Sequence, residues 1–261
     1  MDYSKIKIPR KIVTDLDGTL LRTNKTISQR TANTLLCCKN LGYQIIVATA
    51  RPPRDIYKLL PECLKDNPII CYNGALVLHD RKVLYQHGLP QKTVLEIEKV
   101  AKINGYNKIC LEIDNQLFAN FDAWEDYGWV CKLVDFQNLS FDEALKVIVC
   151  SETPISEYFL NKLPQESSGV LTDKARLCQI MQTNVSKANS LNKIIGNREF
   201  IAFGDDNNDL EMLTATSFGV AMENATESLK KVATAITATN DEDGVALFLE
   251  ENILKNGEIQ Q

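Results

Sequence analysis

The chain has 261 residues, 44% of them hydrophobic and 24% charged, ordinary globular proportions that exclude a disordered, collagenous or coiled-coil protein. Lysine and arginine number 29 against 34 acids, a net charge of −5, so no basic excess exists to neutralise a nucleic-acid backbone or an anionic bilayer. Neither nucleic acid nor membrane is expected as a partner, and the length points to one large domain or a core with a second module.

Lys11-Ile12-Val13-Thr14 is a short β-branched run that stops at Asp15-Leu16-Asp17-Gly18, a strand followed by a turn. Ser28 reads as the N-cap of a helix carrying Ala32, Leu35, Leu36 and Leu41, with Gly42 where a C-terminal glycine belongs. Tyr43–Ala48 is a second strand ending at Thr49, with Pro52 and Pro53 suited to the first turn of a helix. Pro68–Tyr72 is a third strand, ending at Asn73-Gly74. This strand–helix alternation predicts a doubly wound, Rossmann-like parallel sheet, an α/β fold.

From about Val83 the character changes. A helix is expected over Lys92–Ile103, then strands over Lys108–Asp114, Gln116–Asn120, Lys146–Cys150, Gly169–Thr172 and Leu177–Gln182. Adjacent strands suit hairpins, so residues 83–183 are expected to form an inserted α/β (α+β) module. The α/β rhythm then returns, with Ser186 opening a helix, Gly196 closing it, and Phe200–Phe203 forming a strand before Gly204-Asp205. Residues 1–82 and 184–261 would then form one discontinuous domain.

Eight cysteines occur with no C-x-x-C pair, and most lie in apolar runs where a thiol behaves as a small hydrophobe. The start, MDYSKIKIPRK, is too polar for a signal segment, and no apolar run approaches the ~20 residues of a membrane span. A reduced, cytoplasmic protein is expected, a monomer or homodimer. His79 and His87 lie in a turn-like stretch and read as surface residues.

In open parallel sheets, ligands bind beyond the carboxyl ends of the strands. Standing there are Asp15, Asp17, Thr49, Asn73, Asp205 and Asp209, with Lys187 opening a helix. Carboxylates without histidine or thiolate are a ligand set for Mg²⁺ rather than zinc, and a hydroxyl, a lysine and helix-start amides can hold a phosphate. An EF-hand calcium loop starting at Asp205 fails on spacing, because Leu210 and Thr216 occupy the positions that need glycine and glutamate.

Asp15-Leu16-Asp17-Gly18-Thr19-Leu20, Ala48-Thr49-Ala50-Arg51-Pro52, Val185-Ser186-Lys187 and Gly204-Asp205-Asp206-Asn207-Asn208-Asp209 resemble, in order, the four motifs of the haloacid-dehalogenase superfamily. Tyr72-Asn73-Gly74-Ala75, Val220–Ala225 and Asn240–Ala246 further resemble its Cof-type phosphatases, which carry an inserted cap. The resemblance implies that Asp15 is a nucleophile forming an aspartyl-phosphate, and that Asp17 is general acid and then general base. It implies Mg²⁺ held by Asp15, the Asp17 carbonyl and Asp205, with Asn208 and Asp209 supporting. Thr49 and Lys187 would grip the phosphoryl group, and Asn73 would face the substrate. Gly74 and Arg51 join the substrate- and phosphate-binding set, Arg51 with a structural salt bridge as an equal alternative.

The implied activity is hydrolysis of small phosphorylated metabolites, sugar phosphates foremost. A phosphomutase with the same aspartyl-phosphate chemistry, and a phospho-accepting signalling domain, stand as alternatives. Like-charged neighbours are expected to raise the pKa of Asp17. Ala50 replaces a common glycine, which would alter its turn if that position needed φ > 0, and Asp206 is expected to face water. In the insert, Phe121, Trp124 and Trp129 read as packing aromatics, Glu112, Asp114 and Asn115 as a hairpin end, and Asn240–Asp243 as a solvated helix start.

Overall fold

The computed structural model of the protein describes residues 9–196, 199–216 and 218–255. The first part of the chain runs β1 (Lys11–Thr14), α1 (Gln29–Asn40), β2 (Gln44–Ala48), α2 (Pro53–Leu59), β3 (Ile69–Cys71), β4 (Leu76–His79) and β5 (Lys82–Gln86). The Ser28 hydroxyl accepts the Thr31 N–H and starts α1, and Pro53 occupies the first turn of α2, as proline's fixed φ permits.

The middle part runs β6 (Leu89–Pro90), α3 (Gln91–Ile103), β7 (Lys108–Ile113), β8 (Gln116–Ala119), α4 (Ala123–Tyr127), β9 (Lys132–Leu133), β10 (Glu143–Ala144), β11 (Lys146–Cys150), α5 (Glu157–Leu160), β12 (Ser167–Thr172) and β13 (Leu177–Gln182). The last part is α6 (Lys187–Ile195), β14 (Ile201–Gly204), α7 (Leu210–Ala215), β15 (Phe218–Met222), α8 (Glu227–Val232), β16 (Ala235–Thr237) and α9 (Gly244–Leu249).

The large sheet has the order β16-β15-β14-β1-β2-β3-β4-β5, parallel from β16 to β3 and antiparallel at its β4–β5 edge. Ile12, Val13, Ile45, Ile46, Ile69 and Ile70 are buried because both faces of this sheet are covered, which is why these strands read as continuous apolar runs. The chain leaves β1 toward β2 on one side and returns through β14 on the other. That reversal beside β1 is where a doubly wound sheet opens a crevice.

The inserted layer is a six-stranded sheet, β12-β13-β11-β7-β8-β9, backed by α3 with its own apolar core. The expected insert boundary at residue 83 falls inside β5, which pairs with β4, so the large sheet keeps the chain to Gln86. The reason is a hairpin turning at Asp80 and Arg81, both at positive φ. Asn240 and Asp243 are buried rather than solvated. Asn240 donates to the Leu21 carbonyl (2.9 Å), and Asp243 accepts two hydrogen bonds from Arg22 (3.0 and 2.7 Å), tying the last helix to the loop after β1. Among the described residues no helix is long and apolar enough to cross a membrane.

Candidate active site

The end of β1 is held from both sides. The Asp15 N–H donates to the Phe203 carbonyl at the end of β14 (3.0 Å), which aims the Asp15 side chain beyond the sheet. The chain then turns through Gly18 at φ +71°, and a Cβ there would collide with the Asp205 carboxylate. Only glycine tolerates both the left-handed backbone and that approach. Thr19 donates to Asp205 (3.2 Å), so the turn after β1 and the turn after β14 are stitched together.

Lys187, the first residue of α6, reaches into this junction from Ser186, whose hydroxyl caps the helix by accepting the Asn189 N–H. Its buried ammonium donates to Asp15 (2.5 Å) and to Asp209 (2.7 Å). The other Asp209 oxygen accepts the backbone N–H groups of Asp205 and Asp206 (3.1 and 3.3 Å). Oxygens of Asp15, Asp205 and Asp209 lie within 4.8 Å of one another. Three carboxylates against one ammonium leave two formal negative charges in a largely buried cluster, an imbalance that a divalent cation with oxygen ligands fits.

The titration behaviour follows from that imbalance. Burial opposes the charge of Lys187, but Asp15 and Asp209 outweigh it and raise its pKa. Burial, with Asp209 and Asp205 as like charges, also raises Asp15 well above the usual carboxylate range despite Lys187. The two shifts pull the same pair in opposite directions. We assign the charge to Lys187, because it faces two carboxylates and they face one ammonium. Asp205 is pushed up to about 7 by burial, Asp209 and Asp206.

A raised carboxyl pKa means that the folded state holds its proton more tightly than the unfolded chain. The Asp205 contribution to stability is therefore complete below about 3.8 and is lost as pH rises through about 7. Metal-free protein is expected to lose thermal stability across that window, and millimolar Mg²⁺ to flatten the slope. Melting curves at stepped pH check this, and a metal-free melting temperature that rises from pH 5 to 7 contradicts it.

Asp17 departs from the sequence reading. Burial alone would raise its pKa, but Arg51 donates to it through Nε (2.5 Å) and Nη2 (2.7 Å) and Lys25 adds a third bond (3.0 Å). Together the cations hold the carboxyl below its ordinary value, so the expected upward shift is overturned. Of the two readings of Arg51, this geometry is the salt bridge. Thr49 lines the cavity, its hydroxyl accepting the Arg51 N–H (3.1 Å).

Asn73, expected to face substrate, is buried with its amide committed. It donates to Gln179 of β13 (2.8 Å) and accepts from the Asn208 amide N–H (3.0 Å), while Asn208 itself lines the cavity with Asp15 and Asp205. Gly74, at φ +112°, lies against the Ser186 carbonyl, where a Cβ would collide, and its own carbonyl accepts from Ser190 (2.8 Å). It is a packing glycine beneath α6, outside the cavity lining. Asp206 lines the cavity and caps the next turn by accepting the Asn207 N–H (2.8 Å). Ala50 does not have positive φ, so glycine is not required there.

The six-stranded sheet roofs these groups, leaving an open cavity of about 1120 Å³ between it and the large sheet. Three roof contacts were absent from the sequence reading. Arg54 of α2 forms a two-pronged ion pair with Glu112 of β7 (2.7 and 2.9 Å). Lys146 of β11 donates to the Ala50 carbonyl (2.8 Å), and Gln179 meets Asn73. Phe121 and Trp129 pack against a small apolar cluster as expected, Trp129 also bordering the cavity, whereas Trp124 is exposed. A lysine opening a strand predicted as apolar was the one available signal for Lys146.

Residues 12–249, from β1 to α9, match the haloacid dehalogenase-like hydrolases. A curated relative, 5-amino-6-(5-phospho-D-ribitylamino)uracil phosphatase YitU of Bacillus subtilis, is 31% identical over 93% of this chain and 97% of its own. A crystal structure from Streptococcus mutans UA159 superposes with a TM-score of 0.86 at 21% identity, covering 94% of this chain and 99% of that one. The haloalkanoate-superfamily phosphatase BT1666 of Bacteroides thetaiotaomicron gives 0.81 at 24% identity, covering 97% and 98%. The last two show the shared fold of core and cap. With the match spanning both arms of the large sheet and the insert between them, the chain belongs to the haloacid dehalogenase-like hydrolase family and is a phosphatase of its Cof type.

Proposed function

We propose that the protein is a Mg²⁺-dependent phosphomonoesterase that hydrolyses small phosphorylated metabolites, sugar and polyol phosphates among them, through an aspartyl-phosphate. The observation that carries this reading is the convergence of Asp15, Asp205 and Asp209 on one another around Lys187, from turns nearly 200 residues apart. YitU, by its name, acts on a uracil derivative whose ribitylamino chain is phosphorylated, that is, on the phosphate of a polyol. Only that chemical class is carried over.

Asp15, Asp205 and the Asp17 carbonyl would hold the cation, with Asp209 fixing the turn that presents Asp205. When bound, Mg²⁺ supplies positive charge against the phosphoryl oxygens and the acid cluster. Asp15 attacks phosphorus from the end of β1, while Lys187 offsets the charge of nucleophile and substrate. Asp17, held ionised by Arg51, is in the form that takes a proton from water when the aspartyl-phosphate is hydrolysed. For the preceding step, in which it donates a proton to the departing alkoxide, Arg51 must release it, and a bound phosphoryl group competes for that guanidinium. With β5 assigned to the large sheet, residues 87–183 form the proposed cap, excluding water during chemistry.

The test is phosphate release from p-nitrophenyl phosphate with Mg²⁺ and after chelation. Turnover is expected to fall about 100-fold or more on chelation and to return with Mg²⁺. Turnover indifferent to the chelator refutes the metal assignment.

A further inference from the structure

The turn that carries Asp205 and Asp209 is joined to the cap by a run of side-chain amides. Asn208, in that turn, donates through Nδ2 to Asn73 Oδ1 (3.0 Å). Asn73 donates through its own Nδ2 to Gln179 Oε1 in β13 (2.8 Å), and Gln179 donates through Nε2 to the Thr172 hydroxyl of β12 (2.9 Å). Asn73, Gln179 and Thr172 are all buried. The neighbouring Asn207 donates to the Leu171 carbonyl of β12 (3.3 Å), so the same pair of cap strands meets the turn twice.

The backbone is bent to place the middle member of the run. Tyr72 and Asn73, both buried, stand at φ +51° and +54°, a region that asparagine tolerates and tyrosine enters only at a cost. Two bonds hold them there. The Tyr72 N–H donates to the Arg51 carbonyl (3.2 Å) and the Asn73 N–H to the Thr49 carbonyl (3.0 Å). A strained backbone kept in place to present a buried amide points to a site that depends on that amide.

An amide side chain has one donating and one accepting end, so whatever engages one end decides which end is left. With Nδ2 of Asn208 spent on Asn73, its oxygen is the end left for the cavity, which Asn208 lines beside Asp15 and Asp205. Mg²⁺ takes oxygen ligands and keeps several waters, so this is the end it can use, whereas the reversed amide would turn N–H groups toward it. Asn73 has both ends engaged, and its direction is set by Gln179, which offers it an oxygen.

We propose that Gln179 is a positioning residue of the metal site: through Asn73 it keeps the Asn208 oxygen toward the cation, so that docking of the cap and binding of Mg²⁺ strengthen each other. The assignment rests on the metal reading above and adds to it a coupling between cap and core.

The experiment titrates Mg²⁺ into the substrate-free protein by isothermal calorimetry, with circular dichroism confirming the fold of each variant. Gln179→Met removes both amide ends and is expected to raise the Mg²⁺ Kd about tenfold, the loss usual for an outer partner of a metal ligand. Gln179→Glu keeps one oxygen for Asn73 and another for the Thr172 hydroxyl, which can turn to donate, and its Kd is expected to lie no more than about threefold above the parent's. Asn73→Gly suits the positive φ and breaks the run at its centre, so adding Gln179→Met to it should change the Kd no further, a non-additivity that independent packing losses do not give. Parental affinity in Gln179→Met overturns the positioning role. So does a Kd raised about tenfold in Gln179→Glu, or a full further loss in the double variant. Each of these leaves the metal reading standing, and a parent that takes up no Mg²⁺ overturns both.

Discussion

Asp15→Asn is expected to lower kcat/KM for p-nitrophenyl phosphate by roughly 10⁴-fold or more, the loss typical of removing a nucleophile whose role no neighbour can assume. Asparagine keeps the shape of the side chain. The backbone bond from residue 15 to the Phe203 carbonyl is unaffected, and Lys187 retains Asp209. Removing one of three acids that share a single ammonium also relieves repulsion, so the metal-free variant should melt no lower than the parent. A large loss of turnover with an undiminished melting temperature separates a chemical role from a structural one. Retained turnover removes Asp15 as nucleophile.

Lys187→Met should show the opposite balance. The ammonium is buried with two buried carboxylates within 2.7 Å, and removing it leaves both without a cation. Breaking a buried pair from one side costs about 3–5 kcal/mol, which for a chain of this size lowers the melting temperature by on the order of 10 °C in the absence of metal. On the proposed mechanism activity should fall as well, since among the described residues no other cation reaches the centre of the cluster. Adding Asp209→Asn removes one stranded carboxylate and should return part of the lost stability, a non-additivity that a double-mutant cycle measures. If Lys187→Met melts with the parent, the cluster is not held together by this lysine.

The parts of the site that a sequence makes legible are those fixed by local chemistry. Asp15 follows a β-branched run, Asp205 and Asp209 follow a short apolar one that ends at a glycine, and Lys187 follows a serine that caps its helix. The bounds of Lys146–Cys150 and Leu177–Gln182 match the observed strands because both runs carry apolar residues through a buried sheet. The β4–β5 hairpin escaped notice because it turns on Asp80-Arg81 rather than on Asn-Gly, and because Val83 and Leu84 are exposed on its edge strand.

What the sequence withheld depends on how the roof sheet docks. Whether Asn73 meets a substrate or Gln179, and whether Lys146 faces water or the Ala50 carbonyl, is decided by contacts between residues about 100 positions apart. Asp17 was misjudged for a related reason. The acids near it are visible in the motif, but Arg51 and Lys25 turn toward it only once the loops after β1 and β2 are folded.

The position of β1 in the large sheet has a consequence for biosynthesis. One flank of this strand is covered by β2, whose residues follow within about 35 positions, but the other pairs Ile12 with Ile201. At translation speeds of about 5–20 residues per second, that flank waits on the order of 10–40 seconds for its partner to be made. Through that interval a nascent polypeptide on the ribosome exposes the interior hydrogen-bonding edge of its sheet and lacks Asp205 and Asp209, with Lys187 added only near its end. The stage most open to aggregation therefore precedes any capacity to be rescued by a cation or substrate, so a cell can protect the growing chain there only by chaperone binding or by the pace of synthesis.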